Sequence, residues 1–204
     1  MKTCIRIDEI MEMELRKRAH LINSVGGFKS IGLIGTKDQN HQTNLAIFSS
    51  IVHIGANPPL ISFIMRPDSV ERHTLSNILE TGFYTINHVN EAIYQKAHQT
   101  SARYAKDESE FDCTGLTCEY KDDFWAPFVQ ESAVQLGVEF KERIDLSINQ
   151  TILIIGQIQQ IYFPTNCWQA DGFLDLEMAG TVTCSGLDSY HVTRKLERLP
   201  YAKP

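Results

Sequence analysis

The sequence lacks the features that mark membrane-spanning, exported and disulfide-bonded proteins. No run of roughly 18 or more apolar residues occurs, so we expect no transmembrane helix. The first twenty residues, MKTCIRIDEIMEMELRKRAH, place acids and bases where a signal peptide needs its apolar stretch, and we therefore expect a cytoplasmic protein. The five cysteines are odd in number and scattered, which favours reduced thiols over a disulfide framework.

The chain also has no excess of positive charge. It carries 19 lysines and arginines against 25 aspartates and glutamates, a formal net charge of −6. A general nucleic-acid partner or an anionic membrane surface would require a basic face, so we expect neither. A length of 204 residues, with 43% hydrophobic and 22% charged residues, indicates one globular domain with a substantial core.

Several catalytic and metal-binding signatures are missing. The sequence contains no GxGxxG, GxxxxGK[ST], HExxH or GxSxG motif. Cys113 and Cys118 have no second pair at zinc-like spacing, so we expect no metal site. Ser49 and His53 would lie about 13 Å apart on one strand, too far for a nucleophile and its base. We assign no catalytic residue from the sequence.

The hydrophobic pattern predicts a mainly β protein with short helices, an antiparallel barrel or sandwich. Ile152 to Ile155 is continuously apolar, which is typical of a strand buried on both faces. The segment after Pro164 has no strong periodicity. We predict strands at 28–36, 43–51, 60–65, 83–89, 132–147 and 151–163, and helices at 8–23, from Thr74 to Gly82, and at 91–99.

Chemistry-capable residues concentrate between residues 44 and 78. The predicted strand from Asn44 ends in two adjacent hydroxyls, Ser49 and Ser50, which either contact a ligand or are satisfied within the sheet. Pro58-Pro59 then forces Asn57 into an extended or turn conformation and sets the start of the next strand.

The helix predicted after this strand marks a candidate anion site. Thr74 has the residue type that caps a helix start, where free N–H groups carry partial positive charge. Arg66, Arg72 and His73 are close to it in sequence. Because such an arrangement can hold a phosphate, a phosphate-bearing ligand is the first hypothesis.

Five fragments in this order resemble a known family. They are NLAIFSS at 44–50, NPPLISF at 57–63, HTLSNILETGFYTIN at 73–87, EFDxxGLT at 110–117 and GLDSY at 186–190. Their order and spacing are similar to those of the flavin reductase-like family with the FMN-binding split-barrel fold, close to its flavoredoxin branch. The likeness runs from about residue 28 to the C-terminus. It implies one split-barrel domain over 1–204, with a helical extension at 1–27 and a C-terminal extension at 164–204.

The resemblance implies a homodimer that binds FMN without covalent attachment, each flavin lying near the subunit boundary. The strand matching 44–50 would contact the isoalloxazine ring and ribityl chain, and the segment matching 72–77 would meet the phosphate. Phe48 either forms a wall for the ring or belongs to the core. The cofactor-binding residues expected from the motif and the resemblance together are Asn44, Ala46, Phe48, Ser49, Ser50, Arg66, Arg72, His73, Thr74 and Asn77.

One departure from the family bears on the electron donor. Reductases of this family that feed monooxygenases tend to carry a histidine a few residues before a late-strand glycine, and that histidine helps to seat the nicotinamide. Here Gln150 stands near that place and Gly156 is the glycine, and glutamine cannot carry positive charge. Three alternatives therefore stay open: an oxidoreductase using NADH or NADPH, an FMN-binding electron carrier reduced by a partner protein, and a barrel without cofactor that serves in protein interactions.

Overall fold

A seven-stranded antiparallel sheet forms the body of the protein. The computed structural model describes residues 1–67 and 72–203. The sheet has the order β3-β2-β6-β9-β10-β5-β4, so β3 and β4 lie at its two edges. Its strands are β2 (Gly32–Lys37), β3 (Thr43–Phe48), β4 (Val52–Ala56), β5 (Pro59–Met65), β6 (Phe83–His88), β9 (Gln135–Leu146) and β10 (Thr151–Tyr162). The mainly β architecture predicted from the sequence is confirmed.

Two small sheets complete the β structure. One joins the two ends of the chain, because β1 (Lys29–Ser30) pairs with β11 (Val182–Ser185), which pairs with β12 (Ser189–Val192). The other contains β7 (Cys118–Glu119) and β8 (Phe128–Val129). The region after Pro164, for which the sequence shows no strong periodicity, contains two strands, and a 3₁₀ turn at Thr165–Cys167 precedes them.

The helices are short and lie outside the sheet. They are α1 (Ile7–Glu12), α2 (Leu15–Val25), α3 (His73–Thr81), α4 (Tyr94–Gln99) and α5 (Glu110–Thr114). The single helix predicted at 8–23 was wrong, because Met13 and Glu14 are extended between α1 and α2. Arg6, and not Asp8, is the N-cap of α1, and its N–H donates to the Glu9 carboxylate at 2.9 Å. None of the described helices is long and apolar enough to cross a membrane.

The core contains two main clusters of buried side chains. In the first, Phe63, Tyr84 and Ile154 are fully buried together with Ile78 of α3. The second includes Leu33 and Leu45 and packs against Ala97 of α4 and Phe111 of α5. The prediction that 152–155 is buried on both faces was wrong: Ile152 and Ile154 are buried, but the two residues that alternate with them are half-buried. The strand therefore faces the core with one side only.

The strand prediction also missed β4. The Asn57-Pro58 peptide bond is cis and lies in the turn between β4 and β5. Val52, His53 and Ile54 are all exposed on this edge strand, so these residues of β4 contribute no side chain to the core. The predicted turn at Pro58-Pro59 is present.

Candidate functional site

A cavity of about 530 Å³ lies where the ends of β3 and β5 meet the start of α3 and the loop at 100–104. Two residues from segments near the ends of the chain also line the cavity. They are Asn23 of α2 and Leu187 in the turn between β11 and β12. Nine of the ten residues predicted from the sequence line it: Asn44, Ala46, Phe48, Ser49, Ser50, Arg66, Arg72, His73 and Thr74. The stretch predicted to carry the chemistry therefore forms one wall of a single cavity. Residues 68–71 of that stretch lie outside the described residues.

Asn77 lies beneath the cavity and does not line it. The side chain is 5% exposed, and its amide donates a hydrogen bond of 3.1 Å to Oγ1 of Thr36. This bond joins α3 to β2. The structure therefore gives Asn77 a position that supports the helix from behind.

The start of α3 differs from the prediction in one respect. The helix begins at His73 with Arg72 as N-cap, and the Arg72 side chain makes no capping bond. Thr74 is therefore in the first turn and is not the cap. Its Oγ1 instead accepts a hydrogen bond of 3.0 Å from the side-chain amide of Asn44. The backbone N–H groups of the first turn have no partner within the helix and lie beside the cavity.

Positive side chains gather around this helix start. Arg66 is exposed, whereas Arg72 and His73 are half-buried. The Arg72 guanidinium donates two long hydrogen bonds of 3.4 Å to the carbonyl of Pro67. Arg103, from the loop at 100–104, lines the same cavity. An overall acidic chain thus has a local cationic corner.

The two adjacent hydroxyls at the end of β3 have different surroundings. Ser50 Oγ donates to the carbonyl of Ile64 at 3.0 Å and accepts from the N–H of the same residue at 3.1 Å. It joins the end of β3 to β5, as the satisfied-hydroxyl alternative describes. Ser49 hydrogen-bonds the thiol of Cys184; burial raises the pKa of that thiol, and the nearby Lys29 and this hydrogen bond lower it by less.

Phe48 packs against the core and also lines the cavity. Its ring meets that of Phe63 edge-on, with centroids 4.8 Å apart and planes at 65°. It also lines the cavity, next to Ala46 on the alternate position of the strand. The core therefore fixes the orientation of this aromatic wall.

The loop at 100–104 and the start of α5 were missed by the sequence analysis. Thr100, Ser101 and Arg103 line the cavity, although the polar composition of this stretch is typical of a surface loop. The signal that could have identified it is an arginine close to two hydroxyl residues. Glu110, part of the EFD fragment, also lines the cavity as a buried carboxylate.

Gln150 lies apart from these residues. It is exposed on the turn between β9 and β10 and has a positive φ of 60°. Its neighbour Thr151 lines the cavity, but Gln150 is not among the lining residues. Within residues 1–67 and 72–203, no group of three or more His, Cys, Asp or Glu side chains is arranged to hold a metal ion.

Comparisons with known proteins agree with this geometry. A model of the flavin reductase like domain matches residues 28–174. A crystal structure from Shewanella frigidimarina NCIMB 400, described as a proposed flavin reductase with a split barrel domain, has 54% sequence identity and a TM-score of 0.96, covering 98% of this chain and 100% of that chain. This likeness confirms the split-barrel prediction.

Two more distant structures share the fold. Nitrilotriacetate monooxygenase component B from Bacillus cereus has 19% identity and a TM-score of 0.84, and the match covers 98% of this chain and 99% of that one. Flavoredoxin of Desulfovibrio vulgaris (Miyazaki F) has 20% identity and a TM-score of 0.74, with 86% and 92% covered. At these identities the likeness extends to the fold alone.

Proposed function

The chain belongs to the flavin reductase-like family, and from this premise we propose that it is an FMN-binding oxidoreductase that passes electrons from a reduced nicotinamide to flavin or a further acceptor. The observation that carries the proposal is the single cavity in which a cationic helix start adjoins an apolar, aromatic strand wall. A flavin mononucleotide has the matching two ends, an anionic phosphate and a flat amphipathic ring.

The donor set at the helix start suits a phosphate. Arg66, Arg72 and Arg103 supply guanidinium groups, which bind phosphate oxygens through paired N–H donors. The free N–H groups in the first turn of α3 add donors and the favourable end of the helix dipole. The hydroxyl of Thr74 accepts from Asn44 and keeps its own hydrogen for a ligand oxygen.

The other end of the cavity suits the ring. Ala46 is small and Phe48 is aromatic, and both face the cavity from one side of β3. Flat apolar walls of this kind bind a ring by excluding water from its faces. When bound, FMN supplies the capacity to accept a hydride and release its electrons, so the protein needs to hold and orient the ring but needs no acid–base pair.

The identity of the electron donor distinguishes two candidate functions, an oxidoreductase that uses a nicotinamide and an electron carrier that does not. The glutamine at position 150, near the place of the family's nicotinamide-seating histidine, is exposed and does not line the cavity. The second candidate function is therefore an FMN-binding electron carrier reduced by a partner protein. NADPH and NADH oxidation by the FMN-loaded protein distinguishes the two, since a carrier gives no turnover above that of free FMN.

We also propose that the protein is a homodimer. Val52 and Ile54 are 54% and 45% exposed on the edge strand β4, and Ile144 and Ile161 are 37% and 50% exposed on β9 and β10. Apolar side chains that are exposed on a sheet edge and on two strands further into the same sheet are what a second subunit would bury. Light scattering during size-exclusion chromatography gives the subunit number, and a monomeric mass would contradict this part of the proposal.

The test of the site is flavin binding by the purified protein. We expect bound oxidised flavin to give a yellow protein, or a colourless one to take up added FMN. The double variant His73→Ala with Thr74→Ala should bind FMN at least about tenfold more weakly while remaining folded, because it removes contacts to the phosphate. The variant His53→Ala, on an exposed strand away from the cavity, is the control.

Two outcomes would contradict the proposal. Wild-type affinity for FMN in the double variant would show that the phosphate lies elsewhere. A colourless protein that does not take up FMN would support the third alternative, a barrel that serves in protein interactions.

A further inference from the structure

A buried carboxylate lies in the wall of the cavity, next to its cationic corner. Glu110 is the first residue of α5 and is 6% exposed. Its Oε2 accepts a hydrogen bond of 2.8 Å from the backbone N–H of Leu45. The preceding residue, Asn44, donates the hydrogen bond to Thr74 that positions the start of α3. The carboxylate is therefore bound to β3 one residue away from that contact. A negative group is thus built into a site whose other ionisable groups suit an anion.

The carboxylate interacts with two backbone N–H groups and one ring. The N–H groups are those of Leu45 and of Glu110 itself, and the imidazole of His73 is close enough to act on the carboxylate electrostatically. Burial raises the pKa of Glu110, and the two backbone hydrogen bonds and His73 lower the pKa by less. The folded protein therefore binds a proton at this residue more readily than an exposed glutamate does.

The charged and titratable groups around Glu110 come from five segments. Those on its own segment, Glu108, Asp112 and Cys113, are exposed. From α4, Lys96 bonds the carbonyl of Gly115 at 2.6 Å. The remaining groups line the cavity with Glu110 and are His73 and Arg72 at the start of α3, Arg66 after β5, and Arg103 and Tyr104 in the loop at 100–104.

We propose that Glu110 is a specificity-determining residue, which disfavours a fully ionised phosphate in the cavity and couples the binding of that phosphate to uptake of a proton. The inference rests on the proposed FMN site. A phosphate dianion near an ionised, poorly solvated carboxylate is repelled, and the repulsion disappears when the carboxylate takes a proton from solvent. Riboflavin, which has the same ring and ribityl chain but no phosphate, is not repelled.

The test is calorimetric titration of the full-length apoprotein with FMN and with riboflavin, at about pH 6 and about pH 8, on either side of neutrality. The variant Glu110→Gln keeps an oxygen that can accept from the Leu45 N–H but carries no charge. We expect it to bind FMN about tenfold more tightly than the wild type at the higher pH and to differ less at the lower pH. Its affinity for riboflavin should change less than about twofold.

A matched control is available on the same segment. Glu108 Oε2 also accepts a backbone hydrogen bond, 2.9 Å from the N–H of Ala105, but this side chain is exposed. Glu108→Gln removes the same charge and should leave both affinities unchanged, because solvent screens an exposed carboxylate. An equal effect from both variants would mean that net charge alone sets the affinity and would overturn the inference.

A second measurement uses only the wild type. Titration with FMN at the higher pH in buffers of different ionisation enthalpy gives the number of protons taken up on binding. We expect uptake with FMN and none with riboflavin, and zero uptake with FMN overturns the inference. If neither flavin binds, the proposed function fails and the inference fails with it. If FMN binds and Glu110→Gln has wild-type affinity at both pH values, the inference alone fails.

Discussion

The side-chain amide of Asn44 lies 3.0 Å from Oγ1 of Thr74 and donates a hydrogen bond to it, with both residues at least nine-tenths buried. This bond joins edge strand β3 to the first turn of α3, the two elements that form the proposed ring and phosphate ends of the cavity. One turn further along the helix, Asn77 makes a similar bond to Thr36 of β2. Two amide-to-hydroxyl bonds therefore fix where the start of α3 points.

Removal of the first bond should weaken both the fold and the site. Asn44→Ala leaves the buried Thr74 hydroxyl without its donor, so we expect the free energy of unfolding to fall by about 1–3 kcal/mol. FMN affinity should fall as well, because the helix start loses its attachment to β3. Urea unfolding followed by circular dichroism measures the first effect. Asn40→Ala, in an exposed turn, is the control, and equal unfolding midpoints for the two variants would contradict the assignment.

The loop at 100–104 should contribute to phosphate binding. Arg103→Gln removes one of three guanidinium groups around the cavity, and we expect FMN to bind about tenfold more weakly, since a charge-assisted bond to phosphate is lost. Riboflavin affinity should be unaffected. Quenching of flavin fluorescence on titration measures both constants. Arg16→Gln, an equal charge change on the exposed face of α2, should alter neither; a loss of riboflavin affinity in Arg103→Gln would indicate a contact with the ring instead.

Gly156 is required by close packing within the sheet. A Cβ at this position would lie 2.5 Å from Cγ1 of Val138 and 3.0 Å from the carbonyl oxygen of Glu139, and would also overlap the Tyr84 hydroxyl. Gly156→Ala should therefore reduce the free energy of unfolding by about 1–3 kcal/mol or more. At Gly55, the nearest atom to such a Cβ is 3.6 Å away, so Gly55→Ala is the matched control. Thermal unfolding compares the two, and equal melting temperatures would refute the packing argument.

His88 should make the fold sensitive to mild acid. Burial lowers the pKa of His88 to about 4, whereas in the unfolded chain it is about 6.5. Above a pH of about 6.5, His88 is neutral in both the folded and the unfolded chain, so it does not reduce the free energy of unfolding. As the pH falls from about 6.5 towards about 4, the unfolded chain gains a proton that the folded chain does not bind, and stability is lost by at most about 1.4 kcal/mol per pH unit.

The variant His88→Gln should lose this part of the pH dependence. Urea unfolding at several pH values within that range measures the slope for each protein, and the difference between the slopes isolates His88 from the carboxylates. His20→Gln, on an exposed helix, should keep the wild-type slope. Identical slopes for wild type and His88→Gln would show that His88 does not carry the effect.

Sequence patterns located the central strands because their apolar residues are continuous or alternate over many positions. The strands at 135–146 and 151–162 lie within the predicted ranges of 132–147 and 151–163. The strands β11 and β12 have four residues each, and their partners are β1, some 150 residues earlier, and each other. Four residues are too few for alternation to stand out from the surrounding sequence, and the pairing of β11 with β1 is not visible in any local window.

Some features of the candidate site could likewise be predicted from the sequence, and others could not. Asn44 to Ser50 and Arg72 to Thr74 were identifiable because strand, turn and helix start follow one another within about 30 residues. Thr74 was assigned the wrong local role, since the chain turns into the helix one residue earlier and its hydroxyl pairs with a distant amide instead. The cofactor-binding role of these residues stays a prediction.

The sequence by itself determined that this is a mainly β protein with a local cluster of cationic and hydroxyl residues, because period, turn residues and charge are properties of neighbouring positions. Only the tertiary structure decided which groups share the cavity, since Arg103 and Glu110 reach it from segments far along the chain. The charge of a binding site depends on all the groups that surround it in space, and a buried carboxylate in the same cavity wall as three arginines contributes to that charge only when the chain has folded.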